Sequence, residues 1–225
     1  MREKHETLQT DGNIEGVAKV HPRLSILIPG LPHRKEVREN LLAGLIPQCG
    51  DEIYRESADI AHCVMERIIF EHVEILTLID DKQHSTGAKR NMLIDLANGE
   101  YIAFIDDDDQ VSEHYVFAIL KALKTSPDCV GFQGWITTDG IKRIDWELSK
   151  DLPDRTVVRH GRTFYERRTN HLCPVRREIA LQAGFPDKSN AEDKAYAEKL
   201  NPLLKTEVKI SDLLYHYKES RKKEY

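Results

Sequence analysis

The sequence has no CxxC pair. Its four cysteines, Cys49, Cys63, Cys129 and Cys173, lie far apart along 225 residues. That spacing argues against a disulfide framework or a zinc knuckle and makes a reducing cytoplasm the default compartment. No apolar run approaches the length that spans a bilayer. The opening stretch MREKHETLQTDGNIEG is polar and has no apolar h-region. Positive charge is not in excess either: 33 Lys and Arg face 38 Asp and Glu, a formal net charge of −5. Such a balance gives no general drive towards nucleic acid or anionic membrane. Internal repeats, low-complexity tracts and interdomain linkers are all missing. What remains is an ordinary globular composition, 40% hydrophobic and 32% charged, with length for one well-buried domain rather than two. Residues 1–22 read as a polar leader and 23–225 as the domain.

The chain is organised around Gly87 to Asp109, GAKRNMLIDLANGEYIAFIDDDD. Ala88, Met92 and Leu96 fall at helical spacing, with Leu93 and Ala97 widening the apolar face. Asn98-Gly99 predicts a left-handed stop. Tyr101–Ile105 is short, apolar and turn-bounded, as a strand covered on both faces should be. It runs into Asp106, Asp107, Asp108 and Asp109.

Around this centre the spacing predicts strands over Leu24–Ile28 and Glu74–Ile79, the second ending in Asp80-Asp81. Helices are expected over Lys35–Leu45 (Val37, Leu41 and Leu42 on one face) and from Asp51 to about Phe70 (Ile53, Ile60, Val64 and Ile68). Alternating βα units of this kind imply an α/β fold with a mostly parallel nucleotide-binding sheet. Beyond the acids, Glu113–Thr125 reads as helix and Val130–Ile136 as strand. Asp139-Gly140 is a hairpin turn into Ile141–Leu148. Residues 149–170 fit either a loop or a short hairpin. Val175–Ala183 and Glu192–Leu200 read as helices, Val208–Ile210 as a late strand, and SRKKEY as a solvated tail.

Four acids at the carboxyl end of a buried strand repel one another unless something positive sits among them. An acidic loop or helix cap is the plain alternative. The βαβ setting favours a ligand, because open α/β sheets bind ligands at that end. Carboxylate oxygens suit Mg²⁺ or Mn²⁺ carrying a phosphate. Converging acids also suit donors on a nucleobase and ribose. Trp135 is expected in the core. Lys89-Arg90 reads equally as a solvated face or a phosphate contact.

Leu24–Pro29 (LSILIP), the strand ending in Asp80-Asp81, Gly87–Asn91 (GAKRN) and Gly99–Asp109 resemble family 2 glycosyltransferases in order and spacing. Arg176–Glu178, Ala183–Asp187 and Glu192-Asp193 extend the likeness to the family's RRE…GGFDE segment and ED motif. The resemblance implies a single GT-A domain over 23–225 and a metal-dependent, inverting transfer. A nucleoside diphosphate sugar, UDP-sugar first among them, would give its sugar to a hydroxyl acceptor, a glycan or glycoconjugate. Asp106 and Asp108 match the outer acids of the DxD motif and imply binding of ribose, metal and diphosphate, with Asp107 between them and Asp109 the additional acid. Asp80 or Asp81 matches the acid that faces the base, and Arg90 and Asn91 match the ARN segment facing the nucleotide. Pro29, Lys82 and Lys89 complete the cofactor-binding set. Asp193 matches the general base, with Glu192 beside it, and His216 is a candidate metal ligand with Asp106 and Asp108. The implied cofactors are Mn²⁺ or Mg²⁺ and the sugar nucleotide. Lys82 stands where the family commonly has glycine, and His171–Pro174 where many members have small acceptor-contacting residues.

Two other readings compete with this one. One is transfer to hydroxylated bases in DNA, so that nucleic acid would enter only as acceptor. The other is a non-catalytic module that binds nucleotide sugars.

Overall fold

The computed structural model describes residues 21–219; the leader expected over 1–22, except His21 and Pro22, and the charged tail over 220–225 lie outside the described residues. Strand β1 (Leu24–Gly30) is followed by helix α1 (Lys35–Leu45), hairpin β2 (Tyr54–Ile60) and β3 (Cys63–Ile69), and strand β4 (Val73–Ile79). Helix α2 (Thr86–Leu96), strands β5 (Tyr101–Phe104) and β6 (Gln110–Val111) and helix α3 (Tyr115–Leu123) come next. Strands β7 (Cys129–Thr138), β8 (Lys142–Leu148), β9 (Arg155–Arg159), β10 (Arg162–Arg167) and β11 (Val175–Arg176) lead to helices α4 (Arg177–Ala183) and α5 (Glu192–Leu200), and β12 (Glu207–Glu219) follows.

All twelve strands join one mixed sheet, ordered β2-β3-β4-β1-β5-β11-β7-β8-β10-β9, with β12 beside β7 and β6. Its centre is parallel as expected: β1 pairs with β4 on one side and β5 on the other, Leu27 standing opposite both Leu76 and Phe104. The three strands are buried on both faces because helices cover them; Ile26, Leu27, Leu76, Leu78 and Phe104 are fully buried. Each such side chain contributes about 1.5–3 kcal/mol of transfer free energy. Their carboxyl ends share one edge, and the site is built there.

Four expectations need correction. The segment from Asp51 to Phe70 is the β2–β3 hairpin, not a helix. Its apolar residues alternate, Cys63 and Met65 buried around an exposed Val64, and Ile53 is exposed too. The chain reverses at Ala61 and His62, both with positive φ, a two-residue turn without the glycine or asparagine that normally announces one. At Asn98-Gly99 the helix end is extended rather than left-handed, Ala97 having φ −66° and ψ 141°. Asn98 N–H and its side-chain amide instead donate to the buried Glu74 carboxylate at 2.9 Å. Gly99 is required by closeness, since a Cβ there would lie 2.6 Å from Ser25 N. Val175 and Arg176 are strand, wedged antiparallel between β5 and β7, so the helix starts at Arg177. Trp146, not Trp135, is the tryptophan of the core.

The late strand is much longer than Val208–Ile210. Register shifts between Lys209 and Tyr215 break its alternation. Residues 155–167 take the hairpin alternative, held by Glu166 bridging Arg155 at 2.5 Å and Arg159 at 2.7 Å. Those charges, which hide any periodicity, are its cross-strand pairs.

Candidate active site

The four acids after β5 alternate in role. Asp107 and Asp109 are buried and spent on the fold, whereas Asp106 and Asp108 keep side-chain exposures of 25% and 35%. Asp107 accepts from Leu31 N–H at 2.9 Å and Arg34 Nη1 at 3.1 Å, tying down the loop after β1. Asp109 accepts from the Tyr215 hydroxyl at 2.7 Å and Lys218 N–H at 2.8 Å, tying down β12. The two remaining acids open into a cleft of about 280 Å³, lined also by Pro29, Arg34, Lys89, Arg90 and Glu192. Tyr217 and Lys218 of β12 add a further wall.

Burial pushes the Asp106 carboxyl up, but Arg90 and His171 outweigh it and hold it below the usual carboxylate range. Arg90 reaches Asp106 at 2.8 Å and Glu192 at 3.0 Å, so one guanidinium joins the acids of β5 to the start of α5. Asp108 behaves oppositely. Burial raises it and the neighbouring Asp106 and Asp107 raise it further, although Arg34 lies 2.9 Å away. Burial is the larger part of that rise, and the negative charge at the cleft mouth comes from Asp106, Asp107 and Asp108 crowded on one turn. Asp106 and Asp108 therefore fit a divalent cation by charge and by their oxygen donors.

At the end of β4, Asp80 is buried against the Lys89 ammonium, whose Nζ also donates to Gly30 O at 2.9 Å. Burial raises the Asp80 carboxyl, but Lys89 and His84 more than reverse this and lower it. Asp81 and Lys82 are exposed and do not line the cleft. Asn91 does not line it either: its side chain donates to Phe185 O at 2.9 Å and accepts from Phe185 N–H at 2.8 Å, fastening the segment before α5. His216 is likewise turned away. Its ring stacks on Trp135 at 4.8 Å and its Nε2 lies 2.7 Å from Thr137 Oγ1.

Helix α5 begins at Glu192, immediately after Ala191 in the left-handed region at φ 55°. The loop before it docks on α2: Ser85 Oγ donates to Asp187 at 2.5 Å and Gly87 N–H donates to Lys188 O at 3.0 Å. Glu192 faces the cleft through Arg90. Asp193 is half-buried outside the lining, its carboxylate accepting from Lys194 N–H at 2.7 Å. His171, fully inside, brings Nε2 to 3.7 Å from Asp106. Burial and Arg90 lower its pKa against the pull of Asp106 and Asp193.

Of the residues singled out in the sequence, the cleft brings together Pro29, Lys89, Arg90, Asp106, Asp107, Asp108 and Glu192. Arg34, Tyr217 and Lys218 went unassigned. Arg34 stands in the loop after β1, and Tyr217 and Lys218 directly follow His216 in β12.

Residues 56–180, which include β4, α2, β5 and the acids that follow it, are matched by the model of Glycosyl transferase family 2. The chain belongs to that family. Among curated proteins it is 24% identical over 151 residues to "Putative glycosyltransferase EpsH" of Bacillus subtilis (strain 168), covering 63% of this chain and 44% of that protein. Among solved structures, S. aureus TarS 1-349 in complex with UDP-GlcNAc superposes with a TM-score of 0.58 at 14% identity, over 88% of this chain and 58% of that one. The mannosyltransferase PcManGT from Pyrobaculum calidifontis, in complex with GDP-Man and Mn²⁺, gives 0.50 at 14% identity, over 92% of this chain and 59% of that one. The chain thus spans about half the length of the relatives it matches. At these identities the structures establish the GT-A type α/β fold, and the family model establishes membership of Glycosyl transferase family 2.

Proposed function

We propose that residues 23–225 act as one metal-dependent, inverting glycosyltransferase unit, taking a sugar from a UDP-sugar to the hydroxyl of a glycan or glycoconjugate in the cytoplasm. The observation that carries this reading is the alternation Asp106/Asp108 open, Asp107/Asp109 spent, at the mouth of a cleft that also holds Arg90 and Glu192. UDP is favoured over other nucleotides because TarS structures hold UDP-GlcNAc and UDP. The absence of any helix long and apolar enough to cross a membrane among the described residues is compatible with an unanchored unit.

Breaking the anomeric C–O bond leaves a diphosphate whose developing charge must be met. A divalent cation held by Asp106 and Asp108 supplies positive charge to that leaving group when bound. Arg90 keeps Asp106 ionised and aimed, and Glu192 keeps Arg90 in place. Asp193 takes the proton of the acceptor hydroxyl as it attacks the anomeric carbon from the side opposite the diphosphate. Its own turn supplies the single bond it accepts from Lys194, leaving lone pairs for the acceptor. Lys89 and Pro29 flank the nucleotide, and Asp80, buried behind them, holds Lys89 in place.

The test is donor hydrolysis over a panel of nucleotide sugars with Mn²⁺, Mg²⁺ or EDTA, on the wild type and Asp108→Ala. Slow metal-dependent release of the nucleoside diphosphate from one donor, lost in the variant, supports the reading and identifies the sugar. Release from no donor, together with no metal-dependent binding of UDP or GDP, overturns it.

A further inference from the structure

Away from the open acids, a second set of ligand-type atoms converges behind the end of β4. Cys63 Sγ lies 3.5 Å from His84 Nδ1, and the same nitrogen lies 3.1 Å from Asp80 Oδ2. All three atoms fall within 4.8 Å of one another. The backbone arranges this on purpose. The β3–β4 register pairs Val64 with Ile79, which sets Cys63 opposite Asp80 one step further on. Lys82, at φ 62°, then turns the chain back so that His84 N–H donates to Asp80 Oδ2 at 2.8 Å.

This is not a nucleophile–base–acid relay. Such a relay uses the two nitrogens of the ring separately, whereas here sulfur and carboxylate meet the same Nδ1. One nitrogen carries one proton, so Nδ1 cannot serve both neighbours at once. Without that proton, and with the thiol ionised, sulfur, nitrogen and oxygen each have a lone pair to offer a cation within 4.8 Å of one another. A tetrahedral Zn²⁺ bound at about 2.0–2.3 Å by S, N and O has ligand atoms roughly 3.3–3.7 Å apart, close to the two spacings observed.

We infer that Cys63, Asp80 and His84 form a second metal site that takes Zn²⁺, a thiolate-seeking ion, and clamps the β4–α2 loop to the β2–β3 hairpin. Binding sends the Cys63 thiol proton to solvent and requires the single ring proton of His84 to sit on Nε2. Lys89 holds the other Asp80 oxygen and acts as the outer partner that orients a ligating carboxylate. His84 is 25% exposed at its side chain, which leaves solvent to fill the fourth position. A thiolate site prefers Zn²⁺ to the hard cations suited to Asp106 and Asp108, so the two sites would sort metals by chemistry.

The experiment adds Co²⁺, as a visible stand-in for Zn²⁺, to the reduced full chain without any sugar nucleotide. The expected result is a thiolate-to-cobalt charge-transfer band that saturates at one equivalent and is bleached by Zn²⁺. The band is lost in Cys63→Ser and in His84→Gln, each first verified as folded by circular dichroism, and is retained in Cys49→Ser and in Asp108→Asn. Zn²⁺ should also protect Cys63 from alkylation, read by peptide mass. A wild type with no band at one equivalent, or a band that survives Cys63→Ser, overturns the site. Because no donor is used, these outcomes are independent of whether the transferase reading holds.

Discussion

Arg34 Nη1 and Asp108 Oδ2 stand 2.9 Å apart at the cleft mouth, with Arg34 also 3.1 Å from the buried Asp107. The acid proposed to hold the metal thus has an internal cation to compete with. The pair is partly exposed, so its strength is that of a surface ion pair, about 0.2–1 kcal/mol. Arg34→Gln should therefore tighten Mn²⁺ binding in the absence of donor by about 1.4- to fivefold. Titration of free Mn²⁺ by electron paramagnetic resonance reads this directly, and weaker binding in the variant would mean that Arg34 organises the site instead.

The two acids that open α5 should separate kinetically. Asp193→Asn is expected to lower kcat by about 10²–10⁴ while UDP binding stays within about twofold, the signature of a lost proton acceptor. Glu192→Gln weakens its hold on Arg90, and should raise donor KM along with lowering kcat. Initial rates over a donor series, paired with calorimetry of UDP, distinguish the patterns; equal kinetic defects would reject this division of labour.

Gly87→Ala places a methyl where a Cβ would lie 1.9 Å from Pro186 O, a backbone atom that cannot turn aside. The loop that delivers Glu192 and Asp193 must lift from α2. A stability loss of about 1–3 kcal/mol is expected, seen as a lower Tm, with transfer falling more than UDP binding does. Thermal melts and paired rate measurements check it, and an unchanged Tm would show that the loop is not seated there.

Asp109 carries a stability cost that depends on pH. Burial, and the charge of Asp106, push its carboxyl well above the usual range despite bonds from Lys218 and Tyr215. The folded state therefore binds the proton more tightly than the unfolded state. Stability contributed by this group is greatest below the unfolded value of about 3.9 and falls as pH rises through the window up to the raised folded value. Asp109→Asn keeps an acceptor for Lys218 and removes the charge. It should stabilise the protein at pH 7 and change stability by almost nothing below pH of about 4. Denaturant unfolding at the two pH values checks the sign; destabilisation at pH 7 would show that the ionised form is required for folding.

The parts of this molecule that the sequence made readable are those where burial is two-sided or punctuated. The strand from Tyr101 and the acids after it belong here, as does α1, which ends as expected at Leu45. The apolar stripe predicted for α1 was less exact: Val37 is exposed while Arg38 is buried. Its guanidinium is carried inward because it donates to Leu31 O at 3.0 Å. The β2–β3 hairpin was misread because its turn residues, Ala61 and His62, carry no turn chemistry. His216 was misjudged for a different reason. Residue type indicates what a side chain is able to ligate, but the direction it faces is set by strand β12, whose register shifts before Tyr215 are invisible in composition.

The two acids spent on the fold also fix an order of assembly. Asp107 is fastened to Leu31 and Arg34, Asp109 to Tyr215 and Lys218, partners separated from them by 76, 73, 106 and 109 positions respectively. Loop closure over such separations comes late in folding. Until β12 has been laid down, Asp109 has neither of its donors and four like charges crowd one short turn. Asp106 and Asp108 are singled out as the two acids facing the cleft only once those distant segments have met, so the proposed cation site would be complete no earlier than β12.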